Sequence, residues 1–260
     1  MLSKQVVQKY SYGNLYRLPF LFIVIPLLML LAFQAFRVYL HSGKVSYSNV
    51  PFQRNNPYAL LKILFIGDST ALGTGAGDNT ESVAGWFGQD FPSAHIINVS
   101  QNGKRLSALV QDFFPSLGER YNLVVMQIGG NDILRLTPLK NIERDLSIVI
   151  ERAKMIADHV VILHSGNVGA APIFCWPFNW LYAERSRMVR ALYLDKAKAT
   201  SVLYADLFAE REVDPFLKDI SRFYSADYLH PSGQGYKIWY ETICATLYKA
   251  KVKLSDKGNV

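Results

Sequence analysis

The chain has 260 residues, of which 50% are hydrophobic and 19% are charged, and its formal net charge is +7. This length allows one α/β domain of about 200 residues with an appendage. The basic excess lies before residue 51, where there are five basic residues and no acidic one, so the remaining 23 basic and 21 acidic residues give only +2. The remainder is nearly neutral, and its sequence has no basic stripe of the kind expected of a nucleic-acid-binding domain.

The first predicted element is an apolar segment, Leu18 to Phe36, that contains no charged residue. As a helix, its nineteen residues would be about 28 Å long, close to a bilayer core of about 30 Å. The apolar run is longer than the core of a signal peptide, and no small-x-small cleavage site follows it. We therefore expect a transmembrane signal anchor at 18–36 after a short tail at 1–17. The alternatives are a cleaved signal peptide and a buried helix.

The orientation of this anchor rests on a nearly even distribution of basic residues. Three precede the segment and three follow it within a similar distance: Lys4, Lys9 and Arg17, then Arg37, Lys44 and Arg54. The free amino terminus tips the balance towards a cytoplasmic tail. We therefore expect a single-pass protein whose large domain, residues 60–252, is periplasmic or extracellular. A polar stalk at 37–59 would precede the domain, and a tail at 253–260 would follow it.

Beyond the stalk, short apolar runs rich in β-branched residues alternate with helical patterns. This alternation predicts an α/β fold with a parallel sheet between two helical layers, connected by right-handed crossovers. The predicted strands are Lys62–Gly67, His95–Val99, Leu123–Ile128, His159–His164 and Val202–Ala205. The predicted helices are Ser82–Asp90, Leu106–Leu117, Leu139–Ile156, Leu181–Ala199 and Gln234–Lys249.

Polar motifs follow two of these strands, and a third motif lies near the end of the chain. Gly67-Asp68-Ser69 ends the first strand, Gly129-Gly130-Asn131-Asp132 follows the third, and Asp227-Tyr228-Leu229-His230-Pro231 precedes the last helix. Ligands of a parallel sheet bind at the carboxyl ends of its strands. The first two motifs are therefore expected at the same edge of the sheet.

In these blocks the sequence resembles the SGNH/GDSL hydrolase family, over roughly residues 60–250. The family's glycine block is similar to Asn98–Gly103, and its other three blocks are the motifs just quoted, in the same order. The resemblance implies a flavodoxin-like three-layer α/β/α domain, the SGNH hydrolase fold. It also implies that Ser69 is the nucleophile and His230 the base of a serine esterase.

The chemistry of these residue types is consistent with such roles. A serine hydroxyl needs a neighbouring base, and Asp227 could orient His230 and stabilise its imidazolium form. The Asn131 amide and the backbone N–H groups of Ser69 and Gly103 would form an oxyanion hole. Each residue also has a structural alternative, since Ser69 could cap a helix and Asn131 and Gly103 could be turn residues.

Three further side chains have structural interpretations. We expect Asp68 and Asp132 to hold loops by accepting hydrogen bonds from backbone N–H groups. His164, at the end of the fourth strand, is interpreted as a structural residue. We expect no metal, nucleotide or other cofactor, because metal-ligand spacing and a phosphate loop are absent from the sequence. Cys175 and Cys244 could form a disulfide or remain thiols.

The substrate is less defined than the chemistry. The segment Gly169–Trp180 has four aromatic residues, which predict either an acyl-chain wall, a platform for a sugar ring, or a loop folded on its own domain. We expect a membrane-anchored serine esterase acting on a small-molecule, lipid or glycan O-acyl ester through an acyl-enzyme. The alternatives are an acyltransferase acting on a glycan hydroxyl with the same triad and a non-catalytic glycan-binding domain.

Overall fold

A computed structural model describes residues 17–44, 50–112 and 119–255, in which the chain forms two compact units, Met1–Leu40 and His41–Val260. The helix that begins in the first unit is α1 (Arg17–Ser42), with 26 residues including Pro26. Residues 22–41 are apolar and long enough to cross a membrane, with a mean hydropathy of 2.0, and about 6% of this apolar segment is buried. The low burial argues against the alternative of a core helix.

The end of this helix differs from the predicted end of the membrane segment. The helix continues to Ser42, so the first six residues of the predicted stalk, 37–42, are helical. Val38, Tyr39 and Leu40 extend the apolar composition past Arg37 and explain why the helix does not end at the charge. Most of the predicted N-terminal tail and the last five residues lie outside the described chain.

A five-stranded parallel sheet forms the centre of the second unit, in the order β2-β1-β3-β4-β5. This is the strand order of flavodoxin-like folds and confirms the predicted fold class. The strands are β1 (Lys62–Gly67), β2 (His95–Asn98), β3 (Tyr121–Gln127), β4 (Ala157–Leu163) and β5 (Leu203–Tyr204). Each overlaps a predicted strand, and β5 is shorter than predicted.

Nine further α-helices connect and cover these strands in the described chain. The longer ones are α3 (Val83–Asp90), α4 (Leu106–Asp112), α6 (Leu139–Ile156), α7 (Phe178–Thr200) and α10 (Gly233–Lys249). The shorter ones are α2 (Ser69–Leu72), α5 (Gly130–Leu134), α8 (Pro215–Lys218) and α9 (Ile220–Phe223). All five predicted helices are present, although residues 113–117 of the second lie outside the described chain.

Alternate residues of each central strand face opposite helical layers. In β1, Phe65 is buried in the same cluster as Phe87 of α3 and Tyr236 of α10. Its neighbour Ile66 faces the other cluster, which includes Val149 of α6 and others from α7. Both faces of the sheet are therefore covered, which explains the uninterrupted apolar runs of its strands. The polar motifs at the strand ends lie at one open edge of this three-layer domain.

Candidate active site

Three side chains from distant parts of the chain form a continuous line of hydrogen bonds at the carboxyl edge of the sheet. The Ser69 hydroxyl lies 3.0 Å from Nε2 of His230, across 161 residues of sequence. Nδ1 of the same ring lies 2.6 Å from Oδ2 of Asp227. The order serine, imidazole, carboxylate is the one that a catalytic triad requires.

The turn that contains His230 is built around the Asp227 carboxylate. Oδ1 of Asp227 accepts hydrogen bonds from the Ser225 hydroxyl at 2.6 Å and from the backbone N–H groups of Leu229 and His230, each at 2.9 Å. Burial by itself would raise the pKa of Asp227, but the His230 ring and these donors lower it to about 2. The carboxylate is therefore ionised throughout the neutral range, with Oδ2 directed at the imidazole.

Ser69 is the first residue of α2, and its side chain does not cap that helix. Asp68 is the N-cap, because its Oδ1 accepts hydrogen bonds from the backbone N–H of Thr70 at 2.9 Å and from the Thr70 hydroxyl at 2.7 Å. The capping alternative for Ser69 is therefore wrong, and its hydroxyl is left to His230. Asp132 has the predicted kind of role as well, since its Oδ2 accepts the Leu106 N–H at 3.0 Å.

The three expected oxyanion donors line one cavity together with His230. Gly103 has a φ of 74°, a left-handed conformation that favours glycine, and a Cβ built there would have no atom within 4 Å. The positive φ therefore explains the glycine at this position, and the open space around it means that packing does not require one. The Asn131 side chain has no hydrogen-bond partner among the described residues, unlike a turn residue that bonds its own backbone.

Two buried tyrosines from opposite helical layers hold the loops that carry these donors. The Tyr193 hydroxyl, from α7, donates to the Ile128 carbonyl at 2.8 Å, just before the Gly129 turn. The Tyr236 hydroxyl, from α10, donates to the Thr74 carbonyl at 2.7 Å. The Thr74 hydroxyl in turn donates to Oδ1 of Asn102 at 2.7 Å. Neither tyrosine was predicted from sequence, because nothing local distinguishes these partners 65 and 162 residues apart.

The cavity has a volume of about 260 Å³. Of the described residues 169–180, only Ala171 lines it, so the structure favours the alternative of a loop folded on its own domain over a wall of aromatic rings. The aromatic rings of that segment lie elsewhere: Phe174 packs on Tyr182, and Trp176 and Trp180 are 70% and 61% exposed. The larger apolar lining residues are Leu134, Val168, Leu207, Phe216, Tyr224, Leu229 and Trp239.

His164 does not contribute to this cavity. Its ring is buried between Tyr193 and Tyr204, at centroid distances of 5.4 and 6.1 Å. Burial lowers its pKa to about 4, so the ring is neutral at physiological pH. The structure thus agrees with the structural role predicted for it. Among residues 17–44, 50–112 and 119–255, no group of three or more His, Cys, Asp or Glu side chains could hold a metal ion.

Comparison with protein families identifies the chemistry to which this arrangement belongs. The family model described as the GDSL-like lipase/acylhydrolase family matches residues 65–238, which include all four motif blocks. The chain belongs to this family. As a GDSL hydrolase it is a carboxylic ester hydrolase, and the resemblance predicted from the motifs is confirmed.

Solved structures similar to this GDSL hydrolase include an acetylxylan esterase, an extracellular lipase and TesA. Axe2, an acetylxylan esterase from Geobacillus stearothermophilus, is 20% identical, with a TM-score of 0.54 over 73% of this chain and 94% of its own. An extracellular lipase from Streptomyces rimosus is 15% identical, with a TM-score of 0.60 over 72% and 99%. TesA is 20% identical, with a TM-score of 0.54 over 72% and 98%.

At these identities the solved structures show that the fold is shared, and they do not assign a substrate. No individually curated protein sequence matches the chain significantly.

Proposed function

We propose that this protein is a membrane-anchored serine esterase that hydrolyses the O-acyl ester of a small-molecule, lipid or glycan alcohol through an acyl-enzyme. The observation that carries the proposal is the line of hydrogen bonds from Ser69 through His230 to Asp227, at the wall of a cavity. A purely structural serine would not need a histidine 3.0 Å away whose ring is held by a buried carboxylate at 2.6 Å.

The proposed reaction begins when the Ser69 oxygen attacks the ester carbonyl carbon and its proton passes to Nε2 of His230. Asp227 stabilises the imidazolium form. The negative charge on the former carbonyl oxygen is met by the N–H groups of Ser69 and Gly103 and by the Asn131 amide. When the carbon–oxygen bond breaks, the leaving alkoxide takes the proton from Nε2. In the second step, a water oxygen attacks the acyl carbon while Nε2 takes the water's proton, and the bond to the Ser69 oxygen then breaks as Nε2 returns that proton to Ser69, which releases the carboxylic acid.

The direct test of this proposal is covalent labelling with a fluorophosphonate probe, followed by mass spectrometry of the modified peptide. We expect one adduct on Ser69 in the parent chain and none in Ser69→Ala. An unlabelled parent chain would support the non-catalytic alternative instead. If p-nitrophenyl acetate is supplied together with a glycan acceptor, acetate release indicates a hydrolase and acetylated glycan indicates the acyltransferase.

The oxyanion hole has its own expected result. Asn131→Ala should lower kcat by about 10²- to 10³-fold with little change in KM, because the lost donor acts mainly on charge that develops in the transition state. Steady-state kinetics with p-nitrophenyl acetate would measure this change. Thermal unfolding serves as the control, since the Asn131 side chain holds no described neighbour. Unchanged kcat in a folded variant would remove Asn131 from the site.

The proposed anchor is the apolar part of α1, residues 22–41. We expect the full-length chain in the membrane fraction after carbonate and high-salt washes, because hydrophobic insertion is not screened by ions. A chain beginning at Asn55 should be soluble and should keep its activity, since every proposed catalytic group lies after it. Protease added outside intact spheroplasts should digest the large domain. A soluble, shortened mature chain would indicate a cleaved signal peptide, and protection from protease would reverse the orientation.

A further inference from the structure

The cavity beside Ser69 has a wall that the proposed hydrolysis does not use. The segment between β5 and the His230 turn contributes Asp214, Phe216 and Tyr224 to it, and α10 contributes Trp239. We call the three rings the aromatic wall. All four side chains are largely buried, with exposed fractions between 6% and 9%. A carboxylate thus lines the same cavity as three aromatic rings and the catalytic serine.

Among the described residues, only one oxygen of this carboxylate accepts a hydrogen bond. Oδ1 of Asp214 accepts the Phe216 N–H at 2.9 Å and caps α8. No donor from the described residues reaches Oδ2, and this oxygen is not fully buried. Burial raises the pKa of Asp214, while the Phe216 N–H and the nearby charge of Arg211 oppose the rise.

The Tyr224 hydroxyl is a second polar group with open hydrogen-bonding capacity, and its residue lines the same cavity as Asp214. The Tyr224 ring packs edge-on against Phe216, with centroids 5.4 Å apart. Burial raises the pKa of Tyr224 and the negative charge of Asp214 raises it further, while the charge of Arg211 opposes the rise. No described residue is hydrogen-bonded to the hydroxyl, and its oxygen is not fully buried either.

These features distinguish between the lipid and glycan substrates that the proposed function leaves open. A fatty-acyl chain in this cavity would place methylene groups against a carboxylate and a phenol and would remove water from both without replacing it. A sugar ring has hydroxyls that donate to a carboxylate and C–H faces that pack on aromatic rings. The carboxylate, together with the aromatic wall, matches the second kind of ligand.

We propose that Asp214 and the aromatic wall form a subsite for a hydroxyl-bearing ring, so that the substrate is an O-acylated sugar rather than a fatty-acyl lipid. The inference rests on the ester hydrolysis proposed above. Oδ2 of Asp214 accepts a ring hydroxyl of the sugar, and the aromatic wall contacts its apolar face. Asp214 is thereby a residue of substrate specificity and takes no part in the bond-breaking steps.

The decisive variant is Asp214→Asn, because asparagine is as good an N-cap as aspartate and can still accept the Phe216 N–H. Only the accessible acceptor is replaced by an amide NH₂ group. The substrates are partially O-acetylated xylo- and gluco-oligosaccharides and p-nitrophenyl acetate, which share the acetyl group and differ in their hydroxyls. We expect kcat/KM for the acetylated sugars to fall about 10- to 100-fold, mainly through KM. The kcat/KM for p-nitrophenyl acetate should change by less than about threefold, because this substrate has no sugar hydroxyl that could donate to Asp214.

A matched control is Asp219→Asn, which alters the exposed N-cap of the next helix, α9, outside the cavity. It should leave both substrates unaffected. Equal losses on both substrates with Asp214→Asn, or no loss on either, would overturn the subsite. So would a parent chain that hydrolyses p-nitrophenyl acetate and octanoate but none of the acetylated sugars. A parent chain that neither hydrolyses p-nitrophenyl acetate nor reacts with the fluorophosphonate fails the proposed function instead, which separates the two results.

Discussion

Replacing Ser69 with alanine is expected to lower kcat for p-nitrophenyl acetate by about 10⁴- to 10⁶-fold, leaving only the rate supplied by binding and the oxyanion hole. The reason is that, among the described residues, Ser69 alone has a hydroxyl hydrogen-bonded to Nε2 of His230, at 3.0 Å. The backbone should be unaffected, because Asp68 caps α2 and the Ser69 side chain does not. Steady-state kinetics with the purified protein and p-nitrophenyl acetate would measure this loss of kcat.

The matched control is Ser165→Ala, which removes another serine hydroxyl from the same cavity. Since the described hydrogen bonds of the His230 ring go to Ser69 and Asp227 and not to Ser165, we expect at most about a tenfold change in kcat. Both variants should unfold at temperatures close to that of the parent chain. A Ser69→Ala protein that retains more than a tenth of the parent activity would contradict the nucleophile assignment, whatever the behaviour of the control.

The parts of the site that could be predicted from the sequence are those in which local residue order determines position. Gly67-Asp68-Ser69 directly follows a strand, so the place of Ser69 at the carboxyl edge of the sheet follows once β1 is recognised. The three-residue spacing of Asp227 and His230 likewise places both side chains on one turn. Parallel pairing of β1 with β3 then brings Asn131 to the same edge.

What could not be predicted depends on contacts between distant residues in irregular segments. The cavity wall formed by Asp214, Phe216 and Tyr224 lies in a stretch with two four-residue helices, where neither helical nor strand periodicity is long enough to read. The aromatic residues of 169–180 were a plausible wall by composition. Their actual positions depend on packing against α7, such as that of Phe174 on Tyr182, which no local pattern encodes.

A second large effect is expected when Asp227 is replaced by asparagine. In the parent chain, Oδ2 faces Nδ1 of His230 at 2.6 Å and requires a proton on that nitrogen, which leaves Nε2 free to accept the Ser69 proton. An amide NH₂ in place of Oδ2 would donate to Nδ1 and favour the tautomer with the proton on Nε2. The base would then be occupied, and kcat should fall by about 10⁴-fold, as for wrong-tautomer variants of other triads.

Asp227→Asn should keep the turn folded, because the asparagine Oδ1 can still accept from Ser225, Leu229 and His230. The control Ser225→Ala removes one of these bonds without touching the imidazole and should lower kcat by no more than about tenfold. Activity of Asp227→Asn within tenfold of the parent would show that the carboxylate does not orient the base.

The same variant should also change how stability depends on pH. The folded pKa of Asp227, about 2, lies below the unfolded value for aspartate, which is about 3.9. A depressed carboxyl pKa contributes stability above the unfolded pKa, and this contribution is lost as the pH falls from about 4 to about 2. Asparagine does not titrate, so the free energy of unfolding of Asp227→Asn should fall less steeply over that interval. Denaturant titrations at several pH values between 2 and 7 would measure it, and identical acid profiles for the two chains would mean that Asp227 is not held as a low-pKa carboxylate.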